Sequence, residues 1–238
     1  MKARFLPAGD TAVVVEFGNQ VDRVVSDHVL RLSSLVRAAQ LPGVVETLPT
    51  FRSLMVHYNP LVTDSAGLIA AIERLLEGSS GETQPAKLWR IPVCYADSHA
   101  PDLAEVAQRT GLSSEEVVGL HAGTRFHVYM IGFVQGFPYM GDLPRPLVLP
   151  RRTDPRVRVP PGSIAIATNL TAIYPLESPG GWHLVGATPV RLFDPRLSRP
   201  ALLSPGDAVQ FEPVSAGEFA TIRAAVATDA YQVPCADA

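Results

Sequence analysis

Apolar residues along this chain alternate at first, then fall into helical spacing, and the alternation later returns. Thr11 to Phe17 (TAVVVEF) is rich in β-branched residues and runs into Gly18-Asn19, the pattern of a strand meeting a turn. From there Val21, Val24, Val25, Val29, Leu32, Leu35, Val36 and Ala39 keep a helical period until Leu41-Pro42-Gly43 ends it. Short strands are expected at Val44 to Thr47 and Leu54 to Tyr58. Leu68, Ile69, Ile72, Leu75 and Leu76 then mark a second helix. The order is βαββα, and one more strand would complete a split βαβ layout with two helices on one face of an antiparallel sheet.

Gly78 to Lys87 (GSSGETQPAK) combines Gly, Ser, Pro and Gln with almost no apolar side chains, so it reads as a linker dividing residues 1–84 from 85–238. Beyond it Ile91 to Tyr95 is strand-like, and Pro101 opens a helix whose core positions are Leu103, Val106 and Ala107. Ser113 and Glu116 form a capping box for a helix from Ser114 to about His121. After Phe126 the texture becomes short β-rich runs broken by Pro and Gly, as in a barrel or sandwich. Strands are expected at Ile164 to Ala167, Trp182 to Val185, Val190 to Phe193 and Ala208 to Phe211, with a turn at Ser204 to Asp207 and a late helix at Ala216 to Arg223.

Composition narrows the partners. The chain has 238 residues, 47% hydrophobic and 18% charged, with a formal charge of −3 and scattered Lys and Arg. That balance argues against a nucleic-acid groove or an anionic membrane surface. The paired helices around Gly111 resemble a helix-turn-helix, but SEEVVGLH carries two carboxylates and no Lys or Arg and would repel phosphate. No apolar run approaches the roughly 18 residues of a membrane span. Cys94 and Cys235 form no CxxC and no Cys/His cluster, so no metal site is expected, and a reducing cytoplasm is the natural location.

The unusual chemistry lies in three loops: GFPYMG at 136–141, PRRTDPRVRVPPGS at 150–163 and IYPLESPGGWHLVG at 173–186. None carries a phosphate loop, a dinucleotide fingerprint or a hydrolase elbow. Taken singly, such Gly and Pro residues serve barrel corners and the aromatics fill cores. Together, ring faces beside glycine backbone and the arginines Arg151, Arg152, Arg156 and Arg158 suit a pocket for a planar, carboxylate-bearing small molecule. His121, at the end of its helix, is either a C-terminal cap or a proton carrier.

These motifs, with VCYADSHAPDLAEVA and LFDP, resemble the allophanate hydrolase subunit 1 family, which includes the KipI kinase inhibitor and the B-type component of bacterial 5-oxoprolinase. The likeness runs from about Asp10 to Pro213. It implies an α+β ferredoxin-like N-terminal domain and a mainly-β cyclophilin-like barrel. It implies a non-autonomous subunit of an ATP-dependent 5-oxoprolinase, which opens the lactam of 5-oxoproline to glutamate together with a larger cyclophilin-like partner and an A-type one. A KipI-like regulator that binds a sensor histidine kinase is the alternative. On matched positions, His121, Tyr139 and Arg158 are the expected catalytic residues, and Gly136, Phe137, Arg151, Tyr174, Gly181 and Trp182 the expected substrate contacts. Departures from the family pattern fall at Gln135 and Met140, at Leu170 and Ala172, and at Ala187, where proline, leucine, glutamine, glycine and arginine are usual.

Overall fold

The computed structural model describes residues 2–78 and 86–238; most of the expected linker lies outside the described residues. The chain divides into two compact units, Met1–Pro85 and Ala86–Ala238.

In the first unit β1 (Arg4–Pro7), β2 (Ala12–Glu16), α1 (Arg23–Ala39), β3 (Val44–Pro49), β4 (Ser53–Tyr58) and α2 (Ser65–Gly78) follow in that order. The sheet runs β1-β2-β4-β3 with every pairing antiparallel, so β4 lies between the two strands joined by α1. The strand that completes it is β1, from the start of the chain. Helix α1 begins where the Asp22 carboxylate accepts from the N–H groups of Val24 and Val25, and it stops at Gln40, which adopts a left-handed conformation. Its buried stripe of Val25, Val29, Leu32 and Val36 packs with Val13, Val15, Leu54, Val56, Leu68 and Ile72 into one core.

The second unit contains β5 (Lys87–Val93), α3 (Leu103–Thr110), α4 (Ser114–Ala122), β6 (Arg125–Ile131), β7 (Pro138–Gly141), a 3-10 turn (Arg145–Leu147), β8 (Arg156–Val159), β9 (Ser163–Ala167), β10 (Leu170–Ile173), β11 (Ser178–Gly180), β12 (His183–Ala187), β13 (Ala208–Pro213), α5 (Ala216–Ala227) and β14 (Cys235–Asp237). Eight strands form one sheet in the order β12-β9-β10-β7-β6-β13-β5-β14, and β8 pairs with β11 separately. Cys94, just after β5, exchanges backbone hydrogen bonds of 2.8 and 3.0 Å with Ala187, at the end of β12. The sheet therefore curls until these two strands meet. A Cβ on Gly186 would lie 2.8 Å from Val93 Cγ1, so the seam needs a residue without a side chain there.

Two expectations about local structure turn out differently. Val190 to Phe193 is not a strand: Val190 N–H donates to the Thr188 hydroxyl and only Phe193 makes a bridge, to Ala201. Val190 and Leu192 are apolar because they enter the core, not because they pair. The last helix extends to Ala227 and starts on a second capping box, Ser215 with Glu218. The box at Ser113 and Glu116 forms as the spacing predicts. Both cysteines are free, Cys94 buried and Cys235 exposed. Among the described residues no helix is long and apolar enough to cross a membrane.

Candidate functional site

Side-chain alternation along β7, β9 and β10 sorts residues onto two faces of the large sheet. Met140, Ile164, Ile166 and Ile173 join the principal core with Phe126, Val128, Val209, Phe211 and the helices α3 and α4. Their neighbours in sequence point the other way. Tyr139, Ala165, Ala167, Ala172 and Leu170 meet Phe137, Tyr174, Trp182, Leu184 and Val159 in a separate cluster. Three alanines on adjacent strands make a shallow floor, and the aromatic rings stand on it.

The rings come from two of the three loops that the sequence singles out, and the third supplies Arg151 at their edge. Phe137 lies 4.9 Å from Tyr139, 5.1 Å from Tyr174 and 6.4 Å from Trp182 between centroids, and Tyr139 lies 6.1 Å from Trp182. These are edge-to-face or tilted arrangements, which aromatic quadrupoles favour. Phe137, Tyr174 and Trp182 are buried, while Tyr139 is half-buried and Arg151 is exposed. The Arg151 guanidinium sits 5.9 Å from the Trp182 centroid, within cation–π range. Burial raises the Tyr139 phenol above its ordinary pKa, with Arg151 opposing. Burial, with the neighbouring Tyr139, pushes Tyr174 up to about 12 against Arg151 and Arg156. Both phenols are therefore hydrogen-bond donors at neutral pH, not bases.

Backbone geometry explains the glycines. The segment after β6 closes on itself, with Gly132 N–H donating to Phe137 O and Phe137 N–H to Val134 O, both at 3.1 Å. Gly136 has φ of 75°, and a Cβ there would lie 2.8 Å from Phe193 Cβ. Phe133 has φ of 71° and holds its ring outward, 61% exposed, with its edge against Phe137. Gly181 O accepts from Arg152 N–H at 2.7 Å, which ties the arginine loop to the aromatic one.

A polar node anchors that arginine loop. Asp102, only 3% exposed, accepts from Arg156 at 2.6 Å, from Arg152 at 3.2 Å and from Leu184 N–H at 2.7 Å. Glu105 also accepts from Arg152, at 3.0 Å. Sequence reading misses Asp102 because it looks only like the opening residue of α3; its neighbour Pro101 is the stronger signal.

The expected site residues thus divide. Gly136, Phe137, Tyr139, Arg151, Tyr174, Gly181 and Trp182 are brought to this face or its rim. Arg152 and Arg156 are occupied by Asp102. Arg158 is 79% exposed, and among the described residues its one ion pair is a long contact of 3.7 Å with Glu177. His121 is not brought to the rings at all. It lies on the opposite face of the sheet, 1% exposed, stacked on Phe211 at 4.7 Å. Its Nδ1 is 2.8 Å from Tyr95 Oη and its Nε2 is 3.0 Å from Thr171 Oγ1. Burial lowers its pKa to about 3, which favours the neutral imidazole. His183 is also buried, bonded through Nε2 to Pro150 O. Of the departures, Leu170 and Ala172 lie in the floor of the aromatic face, Ala187 at the sheet seam, Met140 in the principal core and Gln135 exposed in the loop.

The second unit thus carries an aromatic cluster with a guanidinium at its rim on one face of its curled sheet. The chain belongs to the family described as carboxyltransferase domain, subdomain C and D, whose model matches residues 3–203. It is 39% identical to the 5-oxoprolinase B-type subunit of Escherichia coli O157:H7, over 91% of this chain and 98% of that protein. It is 35% identical to the corresponding 5-oxoprolinase subunit of Bacillus subtilis (strain 168), over 89% and 92% respectively. Its fold matches the crystal structure of the K. lactis urea amidolyase with a TM-score of 0.79 at 20% identity, covering 99% of this chain and 16% of that one. The names of these relatives do not favour the kinase-regulator alternative.

Proposed function

We propose that this chain is the B-type subunit of a 5-oxoprolinase, and that its aromatic face is the portion of the lactam cleft which it contributes. The observation that carries the reading is the convergence of Tyr139, Trp182 and Arg151 on one sheet face. The identity to known B-type subunits over nearly their whole length supports it.

5-Oxoproline is a flat five-membered lactam with one carboxylate. Its ring lies against Trp182 and Tyr139, and its carboxylate pairs with Arg151, whose planar fork binds two oxygens. The protonated Tyr139 phenol donates to the lactam oxygen and stabilises charge there as water adds to the carbonyl carbon. The C–N bond then breaks, the ring nitrogen takes up a proton, and the product is glutamate. A partner supplies the group that activates the water, so the chain alone has little activity. Phe133, Val157 and Leu176 are exposed apolar residues on the segments around the site, and they suit closure by a larger cyclophilin-like C-type subunit. ATP is the cosubstrate consumed by the assembly together with its A-type component. The ferredoxin-like and cyclophilin-like descriptions of residues 1–84 and 85–238, and a cytoplasmic location, belong to the same proposal. The split βαβ sheet and the curled eight-stranded sheet support it.

The test is coexpression with the A- and C-type subunits, followed by an assay of 5-oxoproline-dependent ATP consumption. Activity is expected in the complex and not in this chain alone. Full turnover by the purified single chain, or no turnover in any assembly, overturns the reading.

A further inference from the structure

A cavity of about 550 Å³ lies within the second unit, between β5, the loop 190–202 and the segment that follows α5. None of the residues of the aromatic face lines it. Its volume falls in the range of about 300–1,000 Å³ usual for small-molecule sites. Trp89, Val190, Leu202, Tyr231 and Val233 supply apolar walls.

The charges around it are not balanced. Arg191 bonds Asp194 at 2.9 Å and Asp229 at 2.8 Å, while Arg196 bonds Asp194 at 2.6 Å and reaches Asp229 at 3.3 Å. Two guanidinium groups and two carboxylates therefore form a closed, neutral network that ties the loop to the turn after α5. Asp229 is held there with φ of 56°, a left-handed conformation few side chains adopt. The same cavity is lined by two further cations, Lys87 and Arg199, and no carboxylate pairs with either among the described residues. Lys87 Nζ stands 5.7 Å from the Trp89 centroid, and the Trp89 indole is itself fixed by its N–H bond to Asp207 at 3.0 Å. Arg199 is bonded to the neutral Ser204 hydroxyl.

We infer that this cavity binds a small organic anion with an aromatic or aliphatic body, its apolar part against Trp89, Leu202 and Tyr231 and its charge drawn to Lys87 and Arg199. The ion network braces the wall before the ligand arrives, so little ordering is left to oppose binding. The site lies apart from the proposed lactam cleft, and its ligand is not the reacting substrate.

The experiment compares two fluorescent probes that differ only in a sulfonate, 8-anilinonaphthalene-1-sulfonate and neutral N-phenyl-1-naphthylamine, titrated into the folded full chain. The anionic probe is expected to saturate at one per chain and to bind at least about tenfold more tightly than the neutral one, the worth of a charged hydrogen bond. Lys87→Met and Arg199→Met keep an unbranched apolar stem and are each expected to weaken the anionic probe by about tenfold. Equal affinity of the two probes for the unsubstituted chain, or an affinity for the anionic probe unchanged in both variants, overturns the inference. The probe comparison stands even if a variant fails to fold.

Discussion

His121 and Thr171 meet at 3.0 Å on the core side of the large sheet, and this contact fixes the tautomer of the imidazole. The Thr171 hydroxyl donates to Ala165 O at 3.1 Å, so it accepts from His121 Nε2–H. Nδ1 is then an acceptor, and the Tyr95 hydroxyl donates to it at 2.8 Å. Every group in this chain of bonds is satisfied with the histidine neutral, and a proton on Nδ1 would require the Tyr95 hydroxyl to turn from donor to acceptor.

A pH dependence of stability follows. The folded pKa of His121, about 3, lies below the ordinary value of 6.5, so the unfolded chain binds the additional proton between them. Stability from this group is complete above pH 6.5 and is lost as pH falls toward 3, by up to about 1.4 kcal/mol per pH unit. Urea denaturation at several pH values should show this slope in the unsubstituted chain and its loss in His121→Gln. Parallel curves for the two proteins would contradict the assignment.

Thr171→Val removes the acceptor of Nε2–H while keeping shape. It should destabilise by about 1–3 kcal/mol, the cost of one buried donor left without a partner. Chemical denaturation at neutral pH checks this, and an unchanged midpoint would mean that the imidazole has found another acceptor.

Asp102→Ala leaves two guanidinium groups and the Leu184 N–H without their shared acceptor. Arg152 keeps Glu105, but Arg156 and the Leu184 N–H lose their acceptor, so a loss of about 1–3 kcal/mol is expected. Limited proteolysis should show cleavage in the 150–160 segment before the rest of the second unit opens.

Arg151→Ala should leave stability within about 0.5 kcal/mol, since the side chain is exposed. In the assembled enzyme it should raise the KM for 5-oxoproline by about tenfold or more, with ATP affinity unchanged. Tyr139→Phe should instead lower kcat, since its donor matters most as charge develops on the lactam oxygen. An unaltered KM in Arg151→Ala would remove the carboxylate contact from the proposal.

Gly136→Ala meets two obstacles, a backbone φ of 75° and a contact of 2.8 Å with Phe193. A cost of about 1–3 kcal/mol is expected from overpacking alone. Near-ultraviolet circular dichroism should weaken as the Phe137 cluster loosens.

Much of the first unit is legible in the sequence because its signals are local. The helical stripe from Val25 to Val36 and the capping boxes of the second unit need no knowledge of distant residues, as each depends on partners within four positions or on a single face. The completing strand β1 escapes sequence reading because Arg4–Pro7 is short and ends in proline, and only its pairing with Val13 to Glu16 makes it a strand. The apolar spacing of Val190 to Phe193 misleads in the opposite sense, since burial alone, without a ladder, also selects apolar residues.

Chain order and residue type by themselves determined the two-part organisation, the main helices and the fact that three separated loops between them carry rings, glycines and guanidinium groups. Only the tertiary structure decided which of those groups share a surface. Strand pairing puts Thr171 and Ala172 on opposite faces of the sheet, and so carries His121 into the core while leaving Tyr139 at the rings. Long-range pairing also commits Arg152 and Arg156 to Asp102, some fifty residues away, and leaves Arg151 over Trp182. The physical reason is that a side chain's face and its charge partner are set by backbone register across distant segments, which adjacent residues do not encode.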